Sequence, residues 1–455
     1  MDTLLDRFIR YVKVETTAKE DSKTYPSTPG QLELGKILAD ELRALKLENV
    51  TMDEHGIVMA TVPGNVPGAP TIGWCSHVDT SPEFTAKNVK PQIIKNYDGK
   101  DITLPGDTAR VIKVSECPAL KNMKGKTLIT TDGTTLLGAD DKAGVAVIMT
   151  AAAQLMANPQ IKHGPVRIIY TCDEEIGHGT DHLDLKKIDC TCAYTLDGED
   201  EGNIENETWS ANLATVMITG KNIHPGFAKG RMVNAIRLAG QFIERIPWHS
   251  MSPETTEGRV GFLHPYVIEG GVPEVKIKVL LRSFVTKELE DQANILRNIA
   301  ATLKAEHPEA EIKIDVTEQY RNMLEYLKKE PRATKLAEQA IRNAGVEPKY
   351  QSIRGGTDGS RMSEKGLPTP NLSTGMHNFH SPLEFACLEQ MENAVKTLVE
   401  LAQLWGKKNE NCKRKNARNH RAERLTFFLC LFYFAFSISH SVPKEHSYPP
   451  NRRRS

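Results

Sequence analysis

Apolar residues recur along this chain at two alternating spacings. Leu4, Leu5, Phe8, Ile9 and Val12 fall at helical intervals and predict an amphipathic first helix. A second helix is expected over 31–45, where Leu32, Leu34, Ile37, Leu38, Leu42 and Leu45 recur. Residues 71–75, 166–171 and 193–196 are short apolar runs and read as buried strands. Residues 127–137 form a Thr-rich, strand-like stretch, and 143–156 a strongly apolar helix. Strands alternating with helices predict an α/β fold with a mostly parallel central sheet.

Around Trp209 the pattern changes. A strand over 214–220, a helix over 233–246, a strand over 275–284, a helix over 289–304 and a strand over 311–316 predict a small α+β sandwich. It is expected as an insertion over 209–321 in a larger domain made of residues 1–208 and 322–406. After Trp405 the composition changes again: 407–424 is rich in Lys, Arg and Asn, and 425–436 is an apolar run. That run is shorter than the roughly 20 apolar residues of a membrane span. Residues 407–455 read as a disordered tail that belongs to no fold, with a C-terminal membrane anchor as the alternative.

Composition narrows the class. Lys+Arg and Asp+Glu are equal at 58 each, so no global field attracts nucleic acid or an anionic membrane. The eight cysteines are scattered, and Cys190-Thr191-Cys192 is the one close pair, without a second pair at metal spacing. Buried, reduced thiols are expected rather than a disulfide framework. The charged start, Met1 to Arg7, lacks the apolar stretch of a signal peptide, and the expected compartment is the cytoplasm.

Chemistry enters where strand-like runs end. In His77-Val78-Asp79 both side chains can face one site, the imidazole as a metal ligand and the carboxylate behind it. Asp140-Asp141 precedes a glycine-containing helix; its carboxylates suit a bridge between two metals or a helix cap. Asp173-Glu174-Glu175 crowds three acids after a strand, which a cation or protons would offset. Strand alternation would turn the two glutamates apart, one toward metal and one toward water. Asp197-Gly198 follows another strand, and either His377 or His380 supplies a second imidazole. Taken singly, these are a core histidine, a cap, an acidic turn and an Asp-Gly turn. As an ordered set they predict a metal-dependent hydrolase.

Longer motifs carry a resemblance: Ile223-His224-Pro225-Gly226-Phe227-Ala228-Lys229-Gly230, Met232-Val233-Asn234-Ala235, Pro253 to Gly258, Tyr320-Arg321-Asn322-Met323 and Arg354-Gly355-Gly356-Thr357-Asp358-Gly359. In these the chain resembles the peptidase T family, tripeptide aminopeptidases among the dizinc peptidases related to aminoacylase and glutamate carboxypeptidase. The resemblance runs from the first helix to about Trp405. It implies two zinc ions, with His77 and Asp197 on the first, Glu175 and His380 on the second, and Asp140 bridging through a cis Asp140–Asp141 peptide. Glu174 would be the general base and Asp79 the acid beside His77. The insertion would be a lid carrying His224 to the oxyanion, with Arg282, Arg354 and Asn378 on the substrate.

Two departures stand out. Arg282-Ser283-Phe284 replaces the family's usual Arg-Asp-Phe, and Ser381-Pro382-Leu383-Glu384-Phe385 replaces Gly-Lys-His-Glu-Phe. Neither removes an expected ligand or the base. The expected partners are short peptides, with a homodimer allowed for and nucleic acid excluded. The rival readings are a dipeptidase or N-acyl amino acid amidohydrolase on the same fold, and a peptide-binding relative without catalysis.

Overall fold

Four parallel strands lie at the centre of an eleven-stranded sheet in the computed structural model, which describes residues 2–407. In spatial order they are Val166–Thr171, Ile72–His77, Cys192–Glu199 and Asn371–His377. Ile72–His77 and Asn371–His377 are buried at every position, as strands covered on both faces require. Antiparallel strands flank this centre: Val58–Val62 and Glu48–Met52 on one side, Phe385–Cys387, Leu128–Thr130 and Gln92–Ile94 on the other. The expected parallel sheet therefore forms the core, and hairpin-like pairings extend it.

The Ala139–Ala157 helix, apolar on all sides, is buried against the parallel strands and between the Leu4–Val12 and Leu388–Gly406 helices. Gly144 permits the close approach: a Cβ there would collide with the Leu196 carbonyl oxygen and the Ser76 hydroxyl. The first helix starts at a capping box, Thr3 with Asp6, and the second spans Pro29–Ala44.

Residues 210–320 build a second sheet, antiparallel throughout, in the order Phe262–Gly270, Glu274–Ser283, Ser210–Thr219, Glu311–Tyr320. Burial alternates along Glu274–Ser283, so one face meets the Ala235–Glu244 and Glu288–Glu306 helices in a core of its own. The Phe262–Gly270 strand was not among the predicted elements. Pro265 and a register shift beside it break its pattern, features tolerated on the sheet edge it occupies.

A further difference lies at 127–137. Only Leu128–Thr130 is a strand; beyond it, Thr134 N–H donates to Asp132 Oδ1 at 2.9 Å and Gly133 N–H to Thr131 Oγ1 at 3.4 Å. Short polar side chains there satisfy the backbone locally and end the pairing. Among the described residues no helix is long and apolar enough to cross a membrane. The expectations for the C-terminal tail fall on residues outside those described, Lys407 apart.

Candidate active site

Each central strand delivers its chemistry at its C-terminal end, where open α/β sheets place ligands. His77 closes the Ile72–His77 strand, and Asp197 lies near the end of Cys192–Glu199. His380 follows Asn371–His377, and Glu174–Glu175 follow Val166–Thr171. Asp140 opens the buried Ala139–Ala157 helix, with a cis peptide bond to Asp141.

Asp140 faces two imidazoles. Its Oδ1 is 3.1 Å from His77 Nε2, and its Oδ2 is 3.3 Å from His380 Nε2. Asp197 Oδ1 lies 3.6 Å from His77 Nε2, and Glu175 Oε2 lies 2.8 Å from His380 Nε2. Two three-residue sets result, His77–Asp140–Asp197 and Asp140–Glu175–His380, each with ligand atoms within 4.8 Å of one another. His380 thus joins the cluster. His377 instead stays buried, its Nε2 2.7 Å from Gln390 Oε1 and its ring stacked on Phe385.

Asp79 backs this arrangement from two directions. Its Oδ1 is 3.4 Å from His77 Nδ1, and its carboxylate accepts the backbone N–H groups of Glu174 and Glu175 at 3.2 and 3.1 Å. The two glutamates do not alternate along a strand as expected. The strand stops at Thr171, Asp173 takes a left-handed φ of 62°, and Glu174–Ile176 is a single 3-10 turn. Asp173 is fixed there by Ser27 N–H and Gln31 Nε2, each donating at 2.6 Å. Glu175 still turns toward His380, while Glu174 Oε1 accepts the Asp358 N–H at 3.2 Å.

Electrostatics separate the groups. Burial, reinforced by neighbouring acids, pushes Glu174 and Asp197 well above the ordinary carboxylate range and Glu175 up to about 7. Burial opposes charge on His77, yet hydrogen bonds to Asp140, Asp197 and Asp79 outweigh it and raise the imidazole. Contacts with Asp140 and Glu175 lift His380 to about 11. Burial also works against ionised Asp140, but the two imidazoles prevail and draw its pKa down.

The same residues fit metal ions. Two imidazoles and three carboxylates converge, and the buried Glu175 Oε1 has no hydrogen-bond partner. That donor set suits borderline divalent cations.

The expected substrate residues are not brought to this cluster. His224 is exposed and contacts Gly226 and Phe227. Arg282 binds the carbonyls of Asn212 and Leu281 beside Tyr320. Arg354 lies over Trp209 at 4.8 Å and donates to the Thr256 carbonyl. Asn378 donates to Leu383 O at 3.3 Å.

Asp358 and Glu384 received no role from the sequence. Asp358 stands in the Arg354–Gly359 motif, whose wording could have raised it. Thr171 Oγ1 holds its carboxylate at 2.7 Å while its N–H meets Glu174.

With this geometry the class is defined. The chain belongs to peptidase family M20/M25/M40, whose model matches residues 131–404. It is 45% identical over 406 residues to Peptidase T of Geobacillus kaustophilus, covering 89% of this chain and 98% of that protein. Two solved structures share the fold, each covering 89% of this chain and 98% of its own: aminopeptidase PepT from Bacillus cereus (TM-score 0.69, 24% identity) and a tripeptidase from Staphylococcus aureus (TM-score 0.69, 23% identity). The resemblance carried by the motifs is borne out.

Proposed function

We propose that this chain is a two-metal aminopeptidase that releases the N-terminal residue from tripeptides. One observation carries the reading: Asp140 faces a different imidazole with each oxygen and so belongs to both ligand sets. Identity to a Peptidase T across nearly the whole of that protein supports the substrate class.

His77 and Asp197 would hold one ion, Glu175 and His380 the other, with Asp140 between them. When bound, the ions supply Lewis acidity that lowers the pKa of a water and polarises the scissile carbonyl. Zinc is the metal we assign to this His and carboxylate set.

Glu174 is the proton carrier. Burial raises its proton affinity, and the Asp358 N–H holds one of its oxygens. It takes a proton from water as the new C–O bond forms. It then delivers that proton to the leaving amine nitrogen as the C–N bond breaks, restoring the carboxylate that nearby bound cations would hold ionised. Asp79 steadies both participants, through the His77 ring and the Glu174–Glu175 backbone.

In this account the 209–321 insertion is a lid, with His224 directed at the oxyanion on closure and Asn378 at the substrate. Arg282 and Arg354 would clamp the peptide carboxylate, which limits substrate length. The aromatic packing of Arg354 on Trp209 supports this role, since it orients an exposed guanidinium. Short peptides are thus the proposed partners, and the cytoplasm the proposed compartment. Assay of a free-amine tripeptide, a dipeptide and an N-acetyl amino acid tests the reading. Preference for the tripeptide is expected, and faster turnover of either rival would overturn it.

A further inference from the structure

The loop that presents His380 is closed on itself. Asn378 and His380 both adopt left-handed φ values, 54° and 58°. Asn378 Nδ2 donates to Leu383 O at 3.3 Å, Leu383 N–H to Ser381 Oγ at 3.1 Å, and Glu384 N–H to Ser381 O at 3.0 Å. His380 reaches Asp140 and Glu175 from one side of this loop.

From its end, Glu384 reaches the backbone that carries Asp140. Its Oε2 accepts the N–H groups of Leu137 and Gly138, both at 2.8 Å, and its Oε1 accepts the Asp140 N–H at 3.0 Å. Glu384 is 1% exposed, so water cannot replace these contacts. Three amides on one buried carboxylate fix the loop far more firmly than a single neutral hydrogen bond does. The position is further set by pairing of Phe385 with Thr130, just before that loop begins.

We infer that Glu384 is a positioning residue of the metal site, a clamp that holds the bridging aspartate in register with the His380 loop. The inference rests on the two-metal reading. Its physical content is a coupling: the residue that orients Asp140 is anchored on the segment that supplies His380. A shift of the Asp140 backbone away from the His380 segment would disturb its contact with His380 and, with it, its contact with His77. Glu384 does not touch the ligand oxygens and takes no part in proton transfer.

Glu389 provides an internal control. Its two oxygens accept one backbone amide, Thr127 N–H, at 3.0 and 2.9 Å, away from the ligand loop. It is a carboxylate-to-backbone tie at the start of the Leu128–Thr130 strand, with no hydrogen bond to the backbone that carries Asp140.

The test compares wild type, Glu384→Gln and Glu389→Gln by metal titration, by the visible absorption of the cobalt-loaded protein, and by kcat and KM on a tripeptide. Glu384→Gln is expected to weaken metal binding by about 10- to 100-fold, alter the cobalt bands, and lower kcat with little change in KM. Glu389→Gln is expected to change unfolding alone. If Glu384→Gln does not fold, Glu384→Asp, one methylene too short to span all three amides, takes its place in the same measurements. Unchanged metal affinity, cobalt bands and kcat in the folded variant would overturn the positioning role while leaving the two-metal reading intact. A wild-type protein that binds no metal would remove both.

Discussion

Glu174 and Glu175 are adjacent in sequence, yet their carboxylates have different partners. Glu175 Oε2 lies 2.8 Å from His380 Nε2, and Glu174 Oε1 accepts the Asp358 N–H. The 3-10 turn separates them, and Asp79 holds that turn by both backbone amides. The two carboxylates are thereby kept side by side with separate partners, as the proposed roles of ligand and proton carrier require.

This division predicts the behaviour of Glu174→Gln. The change removes the proposed proton carrier and retains the acceptor for the Asp358 amide. Metal content and unfolding temperature should stay near wild type while kcat falls by about 10²- to 10⁴-fold. Atomic absorption and steady-state kinetics on one preparation check both halves, and near-normal turnover would contradict the assignment.

The two histidines of the Asn371–His377 strand and its following loop should separate in the same way. His380→Ala removes a member of the Asp140–Glu175–His380 set and should lower bound metal. His377→Ala removes a buried hydrogen bond to Gln390 and a stacked ring. It should cost about 1–3 kcal/mol of stability with metal content unchanged. Metal analysis beside urea unfolding distinguishes them, and metal loss in His377→Ala alone would exchange their roles.

Glu205 makes stability depend on pH. Burial, with Glu199 adding, raises its pKa from 4.5 to about 7 despite the Asn371 hydrogen bond. Well below 4.5 the group is protonated in the folded and unfolded chain alike and contributes no difference. As pH rises through this window the unfolded chain releases the proton first, so folding loses stability, by roughly 3 kcal/mol above the folded pKa. Glu205→Gln removes that loss. Its stability relative to wild type should increase from acid toward pH above 7 in urea unfolding, and a pH-independent difference would contradict this.

Much of the site was legible because its residues recur at strand ends. His77, Asp140, Asp197 and the acidic pair stand beside apolar runs that the sheet places next to one another. Thr131 and Asp132 were misread because their composition suits a strand, while their side chains bind their own turn. The Phe262–Gly270 strand was hidden by Pro265 and its bulge. Glu384 was visible only as part of a motif departure, since its partners are backbone amides distant in sequence and carry no side-chain signature. The pattern of strands and helices over 210–320 was readable, whereas the approach of His224 or Arg354 to a substrate is not encoded in local spacing.

The most direct test of the central claim is hydrolysis of a free-amine tripeptide by the purified full chain, with chelator and then with zinc restored. The account predicts release of the first residue with the dipeptide left intact, loss of activity on chelation and recovery with zinc. Cleavage indifferent to the chelator, with metal removal verified, or no cleavage after metal is restored, would contradict it.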